Sequence, residues 1–322
     1  MLALLFPGQG SQEVGMGRDV FEASPAARAT FEAADAVLGL PLSRLCFEGP
    51  EAELRRTELQ QPAILTTSVA LWRALAERAP VEPAYVAGHS LGEYSALVAS
   101  GALAFESAVA LVHARGRFMQ EAVPEGRGAM AAVLGCGPEE VAAACEAAAR
   151  ATGLVVEPAN WNSPLQTVIA GDAGAVERAC VEARARGAKR ALPLPVSAPF
   201  HCALMAPAAD KLAAELAAVR FEEPAVPIVT NVEAEPNADP ARMAELLRRQ
   251  VTAPVRFSES VRRLASLGVE RVLEIGPGRV LTGLVARIER GLARANLSSL
   301  ADLESAGLFA RGPGASPGLR AS

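Results

Sequence analysis

Lysine and histidine are scarce in this chain. Of its 31 lysines and arginines only two, Lys189 and Lys211, are lysine, and three histidines stand among 322 residues. With a net charge of −5, this balance gives no sign of a nucleic-acid binder. The five cysteines, Cys46, Cys136, Cys145, Cys180 and Cys202, are odd in number and never spaced Cys-x-x-Cys. That argues against both a disulfide framework and a zinc site, and the thiols read as buried. No apolar run is long enough to span a membrane. The opening Leu2-Ala3-Leu4-Leu5-Phe6 is too short for a secretion signal, has no basic flank and runs into Pro7-Gly8. It reads as a first buried strand, and the cytoplasm is the expected location. Neither Gly-x-Gly-x-x-Gly nor a Walker A motif occurs, so a dinucleotide or ATP enzyme is unsupported. No cofactor and no metal is expected.

What is present is a large apolar fraction, 51% of residues, enough for one or two compact domains. The first part alternates short apolar strands with alanine-rich helices, for example Pro62 to Arg78, then Tyr85 to Ala87, then Ala108 to Gln120. That pattern predicts a parallel sheet covered by helices on both faces. From Gly128 the order becomes strand (129–134), helix (138–150), strand (154–157), strand (167–170), helix (173–186) and strand (190–195). This is βαββαβ, the ferredoxin-like split unit, predicted as a small inserted subdomain over residues 128–195. Residues 1–127 and 196–304 then form the larger body, with helices at 206–218, 258–267 and 280–290 and strands at 226–230 and 271–275. The cleft between the two parts is the natural binding site. From Ser305 the periodicity fades, and residues 305–322 read as a disordered tail.

The strongest local signal is Gly88-His89-Ser90-Leu91-Gly92, preceded by the strand Tyr85 to Ala87 and followed by a helix-like run, Glu93 to Ala99. Strand, sharp turn and helix make a nucleophile elbow: the glycines remove Cβ atoms that would collide, and the serine Oγ stands at the head of the helix. A serine nucleophile needs a base. His89 adjoins Ser90 and points away on such a turn, and His113 sits within an apolar helix. His201 follows the loop Ser197-Ala198-Pro199-Phe200 at the rim of the cleft and is the favoured base. No carboxylate stands out to orient it: Asp210 and Glu274 are the nearest candidates, and a backbone carbonyl serves equally well. Gln9, in the glycine-bearing loop after the first strand, is placed to give a second oxyanion N–H. Arg115 lies on a largely apolar helix, where it either pairs internally with a glutamate or grips a substrate carboxylate.

Taken in order, Phe6-Pro7-Gly8-Gln9-Gly10-Ser11-Gln12, Gly88-His89-Ser90-Leu91-Gly92-Glu93-Tyr94, Arg115-Gly116-Arg117-Phe118-Met119-Gln120, Asn160-Trp161-Asn162-Ser163-Pro164, His201 and Glu274-Ile275-Gly276-Pro277-Gly278 resemble the malonyl-CoA:acyl carrier protein transacylases. That family includes the bacterial fatty-acid transacylase and polyketide acyltransferase domains. The resemblance implies an α/β fold, an α/β-hydrolase-like large subdomain with the ferredoxin-like small one inserted. It also implies a ping-pong transfer of malonyl from malonyl-CoA to the phosphopantetheine thiol of acyl carrier protein, serving fatty-acid or polyketide biosynthesis. By the same resemblance Ser90 carries the malonyl ester and His201 is general base and acid, while Arg115 binds the carboxylate. The backbone N–H groups of Gln9 and Leu91 form the oxyanion hole, and Gln250 orients the histidine through its main-chain carbonyl. Asn160 and Asn162 line the cleft near the acyl and pantetheine groups. Phe200 before His201 is a bulky ring that disfavours a 2-methyl group, so malonyl is expected over methylmalonyl. An acidic carrier would meet basic residues at the cleft, with Lys189, Arg190, Arg279 and Arg287 as candidates. No nucleic acid and no membrane partner is expected, and the chain is expected to act as a monomer.

Overall fold

A computed structural model describes residues 1–196 and 198–312. Strand β1 (Leu2–Phe6) is followed by five helices, α1 (Arg18–Ala23), α2 (Pro25–Leu38), α3 (Leu42–Glu48), α4 (Glu51–Leu54) and α5 (Thr57–Arg78). Strand β2 (Tyr85–Gly88) leads through the elbow into α6 (Gly92–Ala99) and α7 (Phe105–Glu121). The split unit follows as β3 (Gly128–Leu134), α8 (Pro138–Thr152), β4 (Val156–Ser163), β5 (Gln166–Asp172), α9 (Ala173–Ala185) and β6 (Arg190–Pro193). The chain then returns through α10 (Ala206–Ala217), β7 (Ile228–Val229), β8 (Pro236–Asn237), α11 (Pro240–Thr252), α12 (Phe257–Ser266), β9 (Arg271–Ile275), α13 (Val280–Ile288), β10 (Ala293–Leu297) and α14 (Leu303–Arg311).

The large sheet runs β10-β9-β1-β2-β7-β8, parallel except at its β8 edge. Its central strand is buried on both faces, as a near-continuous apolar run requires. Leu2, Leu4 and Phe6 enter the core shared with α2, α5 and α7, while Ala3 and Leu5 pack on the opposite face with Phe257, Val261 and Leu281. Phe6 pairs with Gly88, so the loop after β1 and the elbow after β2 leave the sheet side by side. The small sheet is antiparallel in the order β4-β5-β3-β6. Ala131, Val133 and Ile169 face α8 and α9, whereas Met130, Ala132 and Val168 face the cleft. The fold is therefore a large α/β part carrying a small ferredoxin-like part.

Several elements differ from the sequence expectation. Strand β4 continues through Asn160 and Asn162, beyond the expected end at residue 157. Two register irregularities, at Pro158/Asn160 and Trp161/Ser163, interrupt its pairing with β5, in a stretch where Pro158, Asn160 and Asn162 are weak strand formers. It is further fixed to the large body, because Val255 N donates to Ala159 O and Trp161 N to Val255 O, both at 2.9 Å. Residues 305–311 of the expected disordered tail are helical in α14, whose Leu303, Ala306, Gly307 and Ala310 are buried; Gly307 packs on Leu75 and Ala79 beside α5. The remainder of that expectation, residues 313–322, lies outside the described residues.

Helix α5 begins at Thr57 and contains Pro62, which the sequence reading placed at the helix start. The proline ring removes the N–H that would meet the Glu58 carbonyl. His113 Nδ1 takes that place, donating to Glu58 O at 2.9 Å from α7. Gly116 makes the approach possible: a Cβ there would lie 2.6 Å from Thr57 O and 2.7 Å from Glu58 Cα.

Candidate active site

The elbow places Ser90 at φ 53°, a left-handed backbone that few non-glycine residues adopt. A Cβ on Gly88 would lie 1.9 Å from Gly92 C, and one on Gly92 2.0 Å from Phe6 O, so both glycines are required by close backbone approach. Asn231, in the loop after β7, grips the turn on both sides. Its Oδ1 accepts from Ser90 N at 2.6 Å and its Nδ2 donates to Gly88 O at 2.6 Å.

Ser90 Oγ and His201 Nε2 are 2.7 Å apart. His201 Nδ1 donates to the Gln250 carbonyl at 2.7 Å, which leaves Nε2 to accept the serine proton. The histidine is also left-handed, at φ 61°. Burial, seconded by the positive charge of Arg115, pushes its pKa down to about 3, against the hydrogen bonds to the Gln250 and Ala253 backbones that raise it. The ring is thus a neutral acceptor when the protein is folded.

Between the ordinary 6.5 and about 3 the unfolded chain binds a proton on this ring and the folded one does not, so acidification below 6.5 costs stability. The acid limb of serine acylation is likewise expected well below the ordinary histidine range. A pH profile of acyl loading checks this, and an acid limb centred at 6.5 would contradict it.

Arg115 is 1% exposed and lies directly beneath the pair. Its Nη2 donates to Ser90 Oγ at 3.0 Å and to Gln250 Oε1 at 2.9 Å, and its Nη1 to Gln61 Oε1 at 2.7 Å. Among the described residues it makes no ion pair, and its Nε has no partner. The guanidinium is held by carboxamides, so of the two readings left open for it the direct internal pair with a glutamate does not form. Gln61 Nε2 lies 3.3 Å from Gln9 Oε1, and Gln9 Nε2 donates to Gln60 Oε1 at 2.6 Å, which ties the loop after β1 to the same helix turn.

Among the described residues neither the Gln9 nor the Leu91 backbone N–H donates a hydrogen bond, and Leu91 stands at the N-terminus of α6. Asn162 Oδ1 lies 2.8 Å from His89 Nε2, which turns that imidazole away from Ser90 Oγ. Neither carboxylate considered as an orienter touches His201. Glu274 accepts from the Leu281 and Thr282 backbone N–H groups at the start of α13, and Asp210 is exposed on α10. A cavity of about 600 Å³ opens over Ser90 and His201, lined by Gln9, Asn160, Asn162, Phe200, Met130 and Leu281 among others. That volume suits a small-molecule substrate. Sequence reasoning missed Gln61 and Asn231 and left Glu93 without a role. Their partners are remote in sequence, so no local pattern announces them. All five cysteines are buried, and burial raises every thiol pKa, which leaves them inert.

A serine on an elbow, a neutral histidine at hydrogen-bond distance and a cavity above them define a site for acyl transfer through a serine ester, the chemistry that acyltransferases and serine hydrolases share. The chain belongs to the acyl transferase domain family, whose model matches residues 3–315. It is 52% identical over 304 residues to the malonyl CoA-acyl carrier protein transacylase of Salmonella typhimurium, covering 94% of this chain and 98% of that one. The acyl carrier protein S-malonyltransferase structure from Vibrio cholerae superposes with a TM-score of 0.92 at 49% identity, over 94% of this chain and 99% of that one. A malonyl-transacylase solved in complex with a type II PKS acyl-carrier protein superposes with a TM-score of 0.93 at 48% identity, over 97% and 99% of the two chains. Among the described residues no helix is long and apolar enough to cross a membrane.

Proposed function

We infer that this chain transfers the malonyl group of malonyl-CoA to the phosphopantetheine thiol of acyl carrier protein, in fatty-acid or polyketide biosynthesis. The observation that carries the reading is the hydrogen-bonded line Gln250 O, His201, Ser90 Oγ, Arg115: a base, a nucleophile and a buried cation with no carboxylate of its own in contact. Ser90 Oγ attacks the thioester carbonyl as His201 Nε2 takes its proton, and CoA leaves as the thiol when the imidazolium returns that proton. The carrier thiol then attacks the malonyl ester with His201 again as base, and Ser90 is restored. The backbone N–H groups of Gln9 and Leu91 receive the oxyanion in both halves. Gln250 holds the tautomer through its carbonyl, a neutral substitute for an acidic third member.

Arg115 binds the malonyl carboxylate, and Asn160 and Asn162 contact the acyl and pantetheine groups. Phe200, buried at the cavity wall, narrows the room beside the acyl α-carbon and favours malonyl over methylmalonyl. Lys189, Arg190, Arg279 and Arg287 are exposed and are the basic residues offered to an acidic carrier; Arg287 Nη1 donates to Gln166 Oε1 of the cavity wall at 3.1 Å. Residues 128–195 act as the small subdomain that closes one side of the cleft, and 1–127 with 196–304 as the catalytic body. A CoA thioester donor and a carrier acceptor support a cytoplasmic reaction, and one chain supplies the whole constellation, which supports a monomer.

Intact-mass analysis after brief mixing with malonyl-CoA, with peptide mapping, tests the reading. A malonyl adduct on Ser90 is expected, and free malonate without an adduct would make the chain a hydrolase. Arg115→Ala is expected to lower malonyl loading about 100-fold and acetyl loading far less, the residual acetyl loss reflecting its contact with Ser90 Oγ. An equal loss for both donors would remove Arg115 from carboxylate recognition.

A further inference from the structure

Beside the site lies a buried acid for which the mechanism has no use. Glu93, the second residue of α6, is 2% exposed. Its Oε2 accepts from Gln250 Nε2 at 2.8 Å and from Asn231 N at 3.1 Å. Among the described residues it has no ion-pair partner within 4.0 Å. The other end of the Gln250 carboxamide, Oε1, accepts from Arg115 Nη2 at 2.9 Å. The amide therefore stands between anion and cation with its N–H end toward the one and its carbonyl end toward the other, the orientation that both charges favour.

We propose that Glu93 is a specificity-setting, positioning residue: acting through the Gln250 amide, it governs how strongly Arg115 draws the carboxylate of the acyl group. The inference rests on Arg115 being the malonyl carboxylate site. Its physical basis is competition for one buried cation. An ionised Glu93 partly neutralises the field of Arg115, and an arriving malonyl carboxylate meets a weaker attraction and a like charge one amide away. A protonated Glu93 leaves the guanidinium field whole.

The environment lets both forms exist. Burial raises the pKa of Glu93 to about 7, against the hydrogen bonds from Gln250 and Asn231 and the charge of Arg115, which lower it. The groups facing it are the guanidinium of Arg115 from α7, the phenol of Tyr94 from α6, and the non-titrating amides of Gln250 from α11 and Asn231 from the loop after β7. Burial pushes Tyr94 up to about 12, so it stays neutral; burial lowers the Arg115 pKa against the electrostatic influence of Tyr94 and Glu93, and from the high arginine range the guanidinium stays charged. Across neutral pH, Glu93 is thus the member of this group that changes charge.

The sign follows. As pH rises through the pKa, Glu93 becomes an anion, and preference for a carboxylate-bearing acyl group falls. The readout is the malonyl-CoA concentration that half-saturates Ser90 loading, divided into the inhibition constant of acetyl-CoA as competitor. Titrations of His201 and of the CoA phosphates act on both donors and cancel in this ratio. Between about pH 6 and about pH 8.5 the wild-type ratio is expected to fall on the order of three- to tenfold. Glu93→Gln, which keeps an acceptor for Gln250 and Asn231, is expected to hold the ratio flat at or above the wild-type low-pH value.

A flat wild-type ratio, or the same fall in the glutamine variant, would overturn the proposal. If that variant does not fold, Glu93→Ala serves in its place with the same flat ratio expected, and a flat wild-type profile overturns the proposal without any variant. The two readings fail differently: absence of a malonyl adduct on Ser90 at every pH removes the malonyl reading itself, while an adduct with a flat ratio removes only the role of Glu93.

Discussion

Ser90→Ala is expected to eliminate the acyl-enzyme and to lower malonyl transfer by about 10⁴-fold or more, the scale set by deleting the nucleophile of a serine–histidine unit. The geometry makes this a clean test. Ser90 Oγ is the meeting point of His201 Nε2 at 2.7 Å and Arg115 Nη2 at 3.0 Å, so its removal takes the proton donor from the base and one acceptor from the cation. The main-chain grip of Asn231 on the turn is untouched by the substitution. The variant should therefore fold and still bind malonyl-CoA. The measurement is single-turnover loading by intact mass beside a thermal melt. Wild-type loading by the folded alanine variant would remove Ser90 from the chemistry.

Gly88→Ala carries the largest expected effect on stability. A methyl group at residue 88 would sit 1.9 Å from Gly92 C, 2.1 Å from Gly92 O and 2.4 Å from Glu93 N, all of them backbone atoms of the next turn. No rotamer relieves a clash between main-chain groups, so strand and helix must separate. That opens the parallel sheet beside Phe6 and breaks the register that sets the elbow against the loop after β1. A loss of at least ~3 kcal/mol is expected, seen as a collapsed soluble yield or a much lower melting temperature. A variant melting with the wild type would mean that the elbow has slack that the close contacts deny.

The elbow was legible because three local signals coincide there: an apolar strand, glycines where backbone must approach backbone, and a helix-like run. His201 was legible by elimination, since scarcity left few imidazoles to consider. Arg115 stood out because a cation on an apolar face needs a reason. The split βαββαβ unit was legible from its order of strands and helices, although the Asn160–Asn162 stretch was not recognised as strand because it pairs through irregularities and leans on Val255. The contacts that finish the site left no local trace. Asn231 reaches Ser90 across 141 residues and Gln250 reaches Glu93 across 157. Helix α11 could have been found from the spacing of Met243, Leu246, Leu247 and Gln250, which all lie on its buried face. What no spacing could supply is that the last of these, an amide among apolar residues, sits there to serve two charges.

Pro62 leaves the Glu58 carbonyl without its helical donor, and His113 fills the gap from α7. The consequence reaches beyond that one joint. His201 is bound to the nucleophile, His89 to the cleft strand through Asn162, and His113 to the seam between two long helices. Each imidazole is thus a resident spectroscopic reporter of a different working part. Ring resonances from a single isotope-labelled amino acid would separate events at the nucleophile, movement of the small subdomain and loosening of the helical scaffold, with no foreign label attached.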